Sequence, residues 1–119
     1  MQDFTKMNIW KRSLDLSVEI YRITKTFPES EKYGLISQIR RCSTSVPANI
    51  AEGAGRRTKK DFINFMNIAV GSLNELFTFI EISFKLLLIK EDTKIKIQSE
   101  IIEIRKMIYS FQKNLISDN

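Results

Sequence analysis

The 119-residue sequence contains no histidine and a single cysteine, Cys42. Without histidine, the chain lacks the Ser-His-Asp and Cys-His arrangements of nucleophilic enzymes and the commonest metal ligand. One cysteine forms no intrachain disulfide and no multi-cysteine zinc site. We therefore predict that the protein is not an enzyme and has no catalytic residues, no metal site and no cofactor.

Turn-forming residues are also scarce, with four glycines and two prolines, and neither type occurs after Gly71. This scarcity argues against an all-β fold, which needs frequent turns. The longest apolar stretch, residues 84–89, is interrupted by Lys85 and is far too short to span a bilayer. The N-terminus lacks the apolar core of a signal peptide. We expect a cytoplasmic protein with no membrane partner.

What the sequence does contain is helical periodicity. Apolar residues recur at three- and four-residue steps in four segments, which we predict to be helices over residues 8–26, 30–52, 58–89 and 92–116. Short connections favour antiparallel neighbours. We therefore predict an all-α fold, an antiparallel up-down-up-down four-helix bundle, as a single domain over residues 1–119. Residues 1–6 and 117–119 are expected to be frayed.

The predicted helix ends rest on local signals. Pro28 ends the first helix because proline pushes the preceding residue out of the helical region. Ser30 and Thr58 are suitable N-caps for the second and third helices. Gly53 and Gly55 supply a flexible stop after the second.

The apolar pattern also predicts which faces are buried. In the third helix little polar surface separates the apolar positions, so Ile68 and Ile82 are expected to be buried, and the small Gly71 and Ser72 would let a neighbouring helix come close. In the first helix the core face is expected to carry one stripe, widened by three more residues: Trp10, Leu14, Val18 and Tyr21, then Leu16, Ile20 and Ile23.

A stripe of polar residues follows the apolar face of the second helix, at the same three- and four-residue steps: Gln38, Arg41, Ser45, Asn49 and Glu52. These side chains are suited to specific hydrogen bonds. They indicate either a ligand site or a hydrogen-bonded network at the edge of the core or between subunits, and we favour the network. An ion pair of Arg41 with Glu52 or Glu75 fits that interpretation. An enzyme that uses Glu52 and Glu75 as paired carboxylates is a distant alternative.

A basic loop joins the second helix to the third. Arg56, Arg57, Lys59 and Lys60 straddle the predicted helix start, where exposed backbone N–H groups favour an anion. With Arg40 on the second helix, these are the candidate contacts to nucleic-acid phosphates. The alternative is a solvated loop whose charges only keep the protein soluble.

Oligomer formation follows from surplus apolar surface. The second and third helices are apolar across more than one face, although each helix of a small bundle needs only one face inward. The surplus, with the polar stripe and the Gly71-Ser72 pair beside it, predicts an interface between copies of the chain.

The same residues resemble the 23S rRNA-intervening-sequence protein family over roughly residues 8–90. The motifs that carry the resemblance are Gln-Ile-Arg-Arg at 38–41, Ser-Val-Pro-Ala-Asn-Ile-Ala-Glu-Gly at 45–53 and Gly-Ser-Leu-x-Glu-Leu at 71–76. The resemblance implies a four-helix bundle that assembles as a homopentamer. It also implies a relation to the accessory protein of diversity-generating retroelements, a basic pentamer that binds nucleic acid and a reverse transcriptase.

The leading hypothesis is a non-enzymatic homo-oligomer that binds nucleic acid, structured RNA above all, through phosphate contacts. The net charge of +5 agrees with such a partner. The alternative is an adaptor that docks an acidic protein partner, such as a reverse transcriptase, without touching nucleic acid.

Overall fold

A computed structural model describes residues 3–117, and this part of the chain contains helices and no strand. The four long helices are α1 (Asn8–Thr24), α2 (Leu35–Ala54), α3 (Lys59–Lys85) and α4 (Glu91–Ser117). Short 3-10 turns occur at Phe4–Lys6 and Glu29–Glu31. The predicted all-α class is confirmed. The fraying expected at 1–2 and 118–119 lies outside the described residues, whereas Phe4 is ordered against Trp10, with ring centroids 5.2 Å apart.

Hydrogen bonds between neighbouring helices give their relative directions. Between α3 and α4, the partners move back along α3 as α4 advances: Gln98 with Glu81 at 3.0 Å, Arg105 with Asn74 at 2.7 Å and Gln112 with Asn67 at 2.8 Å. The α1–α2 pair runs the same way, with Ser17 bonded to Ser43 and Thr24 to Arg40. In α2 and α3, Ser45 meets Ser72, and Gly53 lies against Phe62. Consecutive helices are therefore antiparallel, and the Arg12–Glu100 ion pair joins α1 to α4.

Two helix ends differ from the prediction by more than two residues. The second helix begins at Leu35 instead of residue 30, because the backbone at Gly34 is non-helical (φ −111°, ψ −105°). The side chain that accepts a hydrogen bond from the first turn of α2 is that of Glu31 and not the predicted Ser30. It accepts from the Leu35 N–H at 3.3 Å. The third helix ends at Lys85 instead of residue 89, because Leu87 adopts a left-handed conformation (φ 64°) that turns the chain toward α4.

The core contains apolar residues from all four helices, with Ile20, Ile50, Leu73 and Ile104 fully buried. On α1 the predicted core stripe is wrong: Leu14, Val18 and Tyr21 are between 40% and 46% exposed. The face that α1 turns inward carries small hydroxyl residues among its apolar ones: Ile9, Ser13, Leu16, Ser17, Ile20 and Thr24. Leu16 and Ile20, which were expected only to widen the stripe, therefore lie at its centre.

One of these serines compensates for a proline. Pro47 lies inside α2 and is buried, and it has no N–H for the carbonyl of Ser43 four residues earlier. The hydroxyl of Ser17 on α1 donates to that carbonyl at 2.8 Å. The Ser13 carbonyl of its own helix is a second, more distant acceptor at 3.1 Å. A side chain of α1 thus replaces the backbone donor that α2 lacks.

This geometry predicts the effect of Ser17→Ala. The variant would leave the buried Ser43 carbonyl without a donor and lower the free energy of unfolding by about 1–3 kcal/mol. In a Pro47→Ala background, residue 47 regains an N–H, so Ser17→Ala should lower the free energy of unfolding by less than about 1 kcal/mol. Urea unfolding of the four proteins of this double-mutant cycle measures the difference. Equal losses in both backgrounds would contradict the compensation.

Candidate nucleic-acid interface

The basic loop, residues 55–58, is held by close packing at the end of α2. Gly53 is buried within the helix, and a Cβ there would lie 2.8 Å from the Phe65 Cβ and 2.9 Å from the Phe62 Cδ1. Its role is therefore close approach of α2 and α3, which differs from the predicted flexible stop. Thr58 caps α3 as predicted, by accepting a hydrogen bond from the Asp61 N–H at 3.1 Å.

The four cations of the loop region are not equivalent. Arg56 donates to Glu52 at 2.8 Å, and its guanidinium lies 4.7 Å from the centroid of the Phe65 ring. Arg57 and Lys60 are exposed and form no ion pair with residues 3–117. Lys59 is half-buried in the first turn of α3. The Glu52 carboxylate offsets the charge of Arg56. The better placed contacts for a phosphate are therefore Arg57 and Lys60.

The end of the bundle that contains this loop, hereafter the basic end, has a net positive charge. It is formed by residues 3–11, 52–61 and 110–117, which contain seven lysines and arginines and three acidic residues. That is a net charge of +4, where the whole chain has +5. Sequence reasoning missed Lys6, Lys11 and Lys113, which come from distant segments and join the loop cations only in the folded bundle.

Arg40 is not part of the basic end. It precedes Arg56 by sixteen residues, which is about 24 Å along a helix at 1.5 Å per residue. Its Nε donates to the Thr24 hydroxyl at 2.9 Å, and its guanidinium lies 4.5 Å from the centroid of the Tyr21 ring. This side chain joins α1 to α2, so grouping it with the loop cations was an error of position.

Most of the polar stripe lies along a cleft between α2 and α3. Ser45 and Ser72 are hydrogen-bonded across the helices at 2.9 Å, and the Asn49 amide donates to the carbonyl and the hydroxyl of Ser45 at 2.8 and 2.9 Å. The cleft has a volume of about 380 Å³ and is lined by Gln38, Arg41, Cys42, Ser45, Ile68, Ser72 and Glu75. Its centre is therefore a network that links two helices.

The charged members of the stripe do not pair as expected. Glu52 is bonded to Arg56, and Arg41 forms no ion pair within residues 3–117. Glu52 lies seven residues beyond Ser45, the last cleft residue of α2, which is roughly 10 Å by the helical rise, while Glu75 lines the cleft. The two carboxylates are therefore not brought together as an acid–base pair.

The remaining chemistry of the cleft is inert. Burial raises the pKa of the Cys42 thiol to about 12, with a further contribution from the charge of Glu75. The thiol therefore stays protonated at neutral pH and is a poor nucleophile.

Residues 3–117 contain no group of three or more Cys, Asp or Glu side chains that could hold a metal ion. Within the same residues, no helix is both long and apolar enough to cross a membrane.

The comparison with protein families decides the relationship. A family model described as 23S rRNA-intervening sequence protein matches residues 5–110. The chain belongs to this family. A solved structure of similar fold is a protein of unknown function from the S23 ribosomal protein family of Bacteroides thetaiotaomicron. It has 30% sequence identity and a TM-score of 0.82, and the match covers 88% of this chain and 98% of that one.

A search of curated proteins finds no match to this 23S rRNA-intervening sequence family member. Neither the family description nor that of the solved relative indicates an enzymatic activity. The family resemblance read from the motifs at 38–53 and 71–76 is therefore confirmed, and the function has to be argued from the surface of the bundle.

Proposed function

We propose that this family member is a non-enzymatic homo-oligomer that binds nucleic acid, structured RNA in particular, through the basic end of each protomer. The observation that carries the proposal is the cluster of cations at the start of α3, where Arg56, Arg57, Lys59 and Lys60 lie within five residues, at an end of the bundle with a net charge of +4. Phosphates supply most of the affinity in such complexes, and they require clustered cations more than base-specific side chains.

The local arrangement of the basic end supports phosphate binding. Arg57 and Lys60 flank the capped N-terminus of α3, where the helix dipole adds partial positive charge. The Glu52 carboxylate and the Phe65 ring hold the guanidinium of Arg56 in place near the start of α3. Asp61, in the same turn, reduces the local charge. The site is therefore of moderate strength in one copy.

Assembly would compensate for that moderate strength. Two apolar surfaces are partly exposed in the single chain: the stripe of Leu14, Val18 and Tyr21, and the outer face of α3 with Ile68 and Ile82, 51% and 39% exposed. Gly71, next to Ser72, has no atom within 4 Å of where its Cβ would be, so this face is open to a second copy. A closed ring, a pentamer by the family resemblance, would align several basic ends and increase avidity.

The test uses two double variants with the same change in charge. Arg57→Ala/Lys60→Ala removes the two unpaired cations of the basic end, and Lys25→Ala/Lys90→Ala removes two exposed cations from the opposite end. Binding to an RNA hairpin is measured by fluorescence anisotropy over a series of salt concentrations. We expect the first variant to bind at least about tenfold more weakly and to lower the slope of log K against log salt by about 2. The second should bind like the parent.

Several outcomes would contradict the proposal. Affinity that does not change with salt would exclude a phosphate-driven mode, and equal losses in the two variants would exclude the basic end as the site. Light scattering of the parent chain checks assembly, and a stable monomer at micromolar concentration would overturn that part. Retention of an acidic protein after nuclease treatment, without RNA binding, would favour an adaptor instead.

A further inference from the structure

A second cleft lies between the start of α1 and the last turns of α4, with a volume of about 360 Å³. Its walls are apolar: Met7, Ile9, Met107 and Phe111. Met7 and Ile9 are buried in the core, and Phe111 is half-buried, so the walls are part of the folded bundle. The volume is within the range of about 300–1,000 Å³ that is usual for small-ligand sites.

The rim of this cleft is polar and has unused hydrogen-bonding capacity. Asn8, Ser110 and Asn114 line it, and their side chains form no hydrogen bond with residues 3–117. A side-chain amide presents donors and an acceptor together, which matches the edge of a nucleobase.

Three lysines are close in sequence to residues of the cleft. Lys6 precedes its wall residue Met7, Lys11 lies one helical turn after Asn8, and Lys113 is adjacent to Asn114. All three are exposed and form no ion pair with residues 3–117. A phosphate attached to a ring in the cleft would therefore lie at the end of the bundle that contains these three cations.

The cleft and the basic loop are at the same end of the molecule. Phe111, on its wall, makes an edge-to-face contact with Phe62, with ring centroids 5.4 Å apart. Phe62 follows Lys60 by two residues in the first turn of α3. A chain of phosphates on the loop could thus continue to this cleft without crossing the bundle.

We propose that the α1–α4 cleft binds an unstacked nucleobase together with its phosphate. The base would lie against Phe111 and the methionines, with its edge on the two asparagines, and the phosphate would contact Lys11 or Lys113. As a site within RNA, the inference rests on the proposed function. The same chemistry could also come from a free mononucleotide, and the experiment separates the two sources.

The experiment compares two RNA hairpins that differ at one loop position, an unpaired adenosine or an abasic site. Loss of one stacked base should weaken binding to the parent protein by about tenfold. Ser110→Leu fills the rim of the cleft without changing charge and should remove this difference. Ser99→Leu, at another exposed serine of α4, is the matched control and should retain it. Asn114→Ala, which adds no bulk, should reduce the difference.

The possible results separate the two proposals. If both hairpins bind the parent equally well, or if Ser110→Leu keeps the preference, the cleft is not a base site and the basic end stands alone. If neither hairpin binds, the proposed function fails. Titration with adenosine monophosphate then tests whether the cleft binds a nucleotide on its own. Nucleotide binding that Ser110→Leu abolishes supports a mononucleotide site, and absence of binding overturns it. A preference for the adenosine hairpin without mononucleotide binding identifies the RNA strand as the source.

Discussion

Replacement of Gly53 by valine is expected to lower the free energy of unfolding by about 3 kcal/mol, because it overfills a close helix contact. The first added carbon would lie 2.8 Å from the Phe65 Cβ and 2.9 Å from the Phe62 ring, and 3.3 Å from the Phe62 carbonyl oxygen. Backbone and Cβ atoms cannot rotate away, so α2 and α3 would have to separate. The gain in helix propensity over glycine is at most about 1 kcal/mol and does not offset this strain.

Gly55→Ala is the matched control, two residues further along the same helix end. Its Cβ would meet only the Glu52 carbonyl oxygen, at 3.7 Å, and its φ of −87° suits any residue. We expect unchanged or slightly higher stability. Urea unfolding followed by circular dichroism compares the two. A Gly53→Val protein as stable as Gly55→Ala would mean that the helices do not meet as closely as described.

The second large effect is expected for Leu73→Ala. Leu73 is fully buried in the middle of α3, so truncation leaves a cavity and should lower the free energy of unfolding by about 2–5 kcal/mol. Ile68, five residues earlier on the same helix, is 51% exposed, so its predicted burial is wrong. Ile68→Ala should change the stability of the single chain by less than about 0.5 kcal/mol.

The pair also separates folding from assembly. If Ile68 lies between copies, Ile68→Ala should shift the mass measured by light scattering toward the monomer while the helical signal is unchanged. Equal destabilisation by both variants in dilute, dissociated protein would contradict the burial pattern of α3. Chemical denaturation at several protein concentrations makes the comparison, because only the assembly term depends on concentration.

The number and order of the helices were predictable because periodicity and caps act locally. Thr58 is an N-cap in both the prediction and the structure. The errors arise where the local pattern is ambiguous. On α1 the stripe of Leu14 and Val18 is more hydrophobic than the true core face, which contains Ser13 and Ser17. Those serines are tolerated in the core because their hydroxyls donate to backbone carbonyls, and no pattern of hydrophobicity reveals such partners.

The candidate site was predictable only in part. Arg57 and Lys60 are only three residues apart in the sequence, on either side of the Thr58 cap, so the basic loop could be recognised. Arg40 was misplaced, because its position in the sequence of α2 does not tell which residues of α1 lie beside it, and there Thr24 and Tyr21 engage it. Lys113 joins the basic end through the return of α4, which only the tertiary arrangement establishes.

The hydrogen bond that Ser17 donates to the Ser43 carbonyl, four residues before Pro47, has a consequence for how the chain folds. Alone in water, the middle of α2 would have a gap in its hydrogen-bond ladder, so this segment is a poor autonomous helix. Its backbone becomes complete only when α1 docks. The helical structure of α2 and its contact with α1 therefore depend on each other. This dependence favours cooperative, all-or-none unfolding over gradual fraying of single helices.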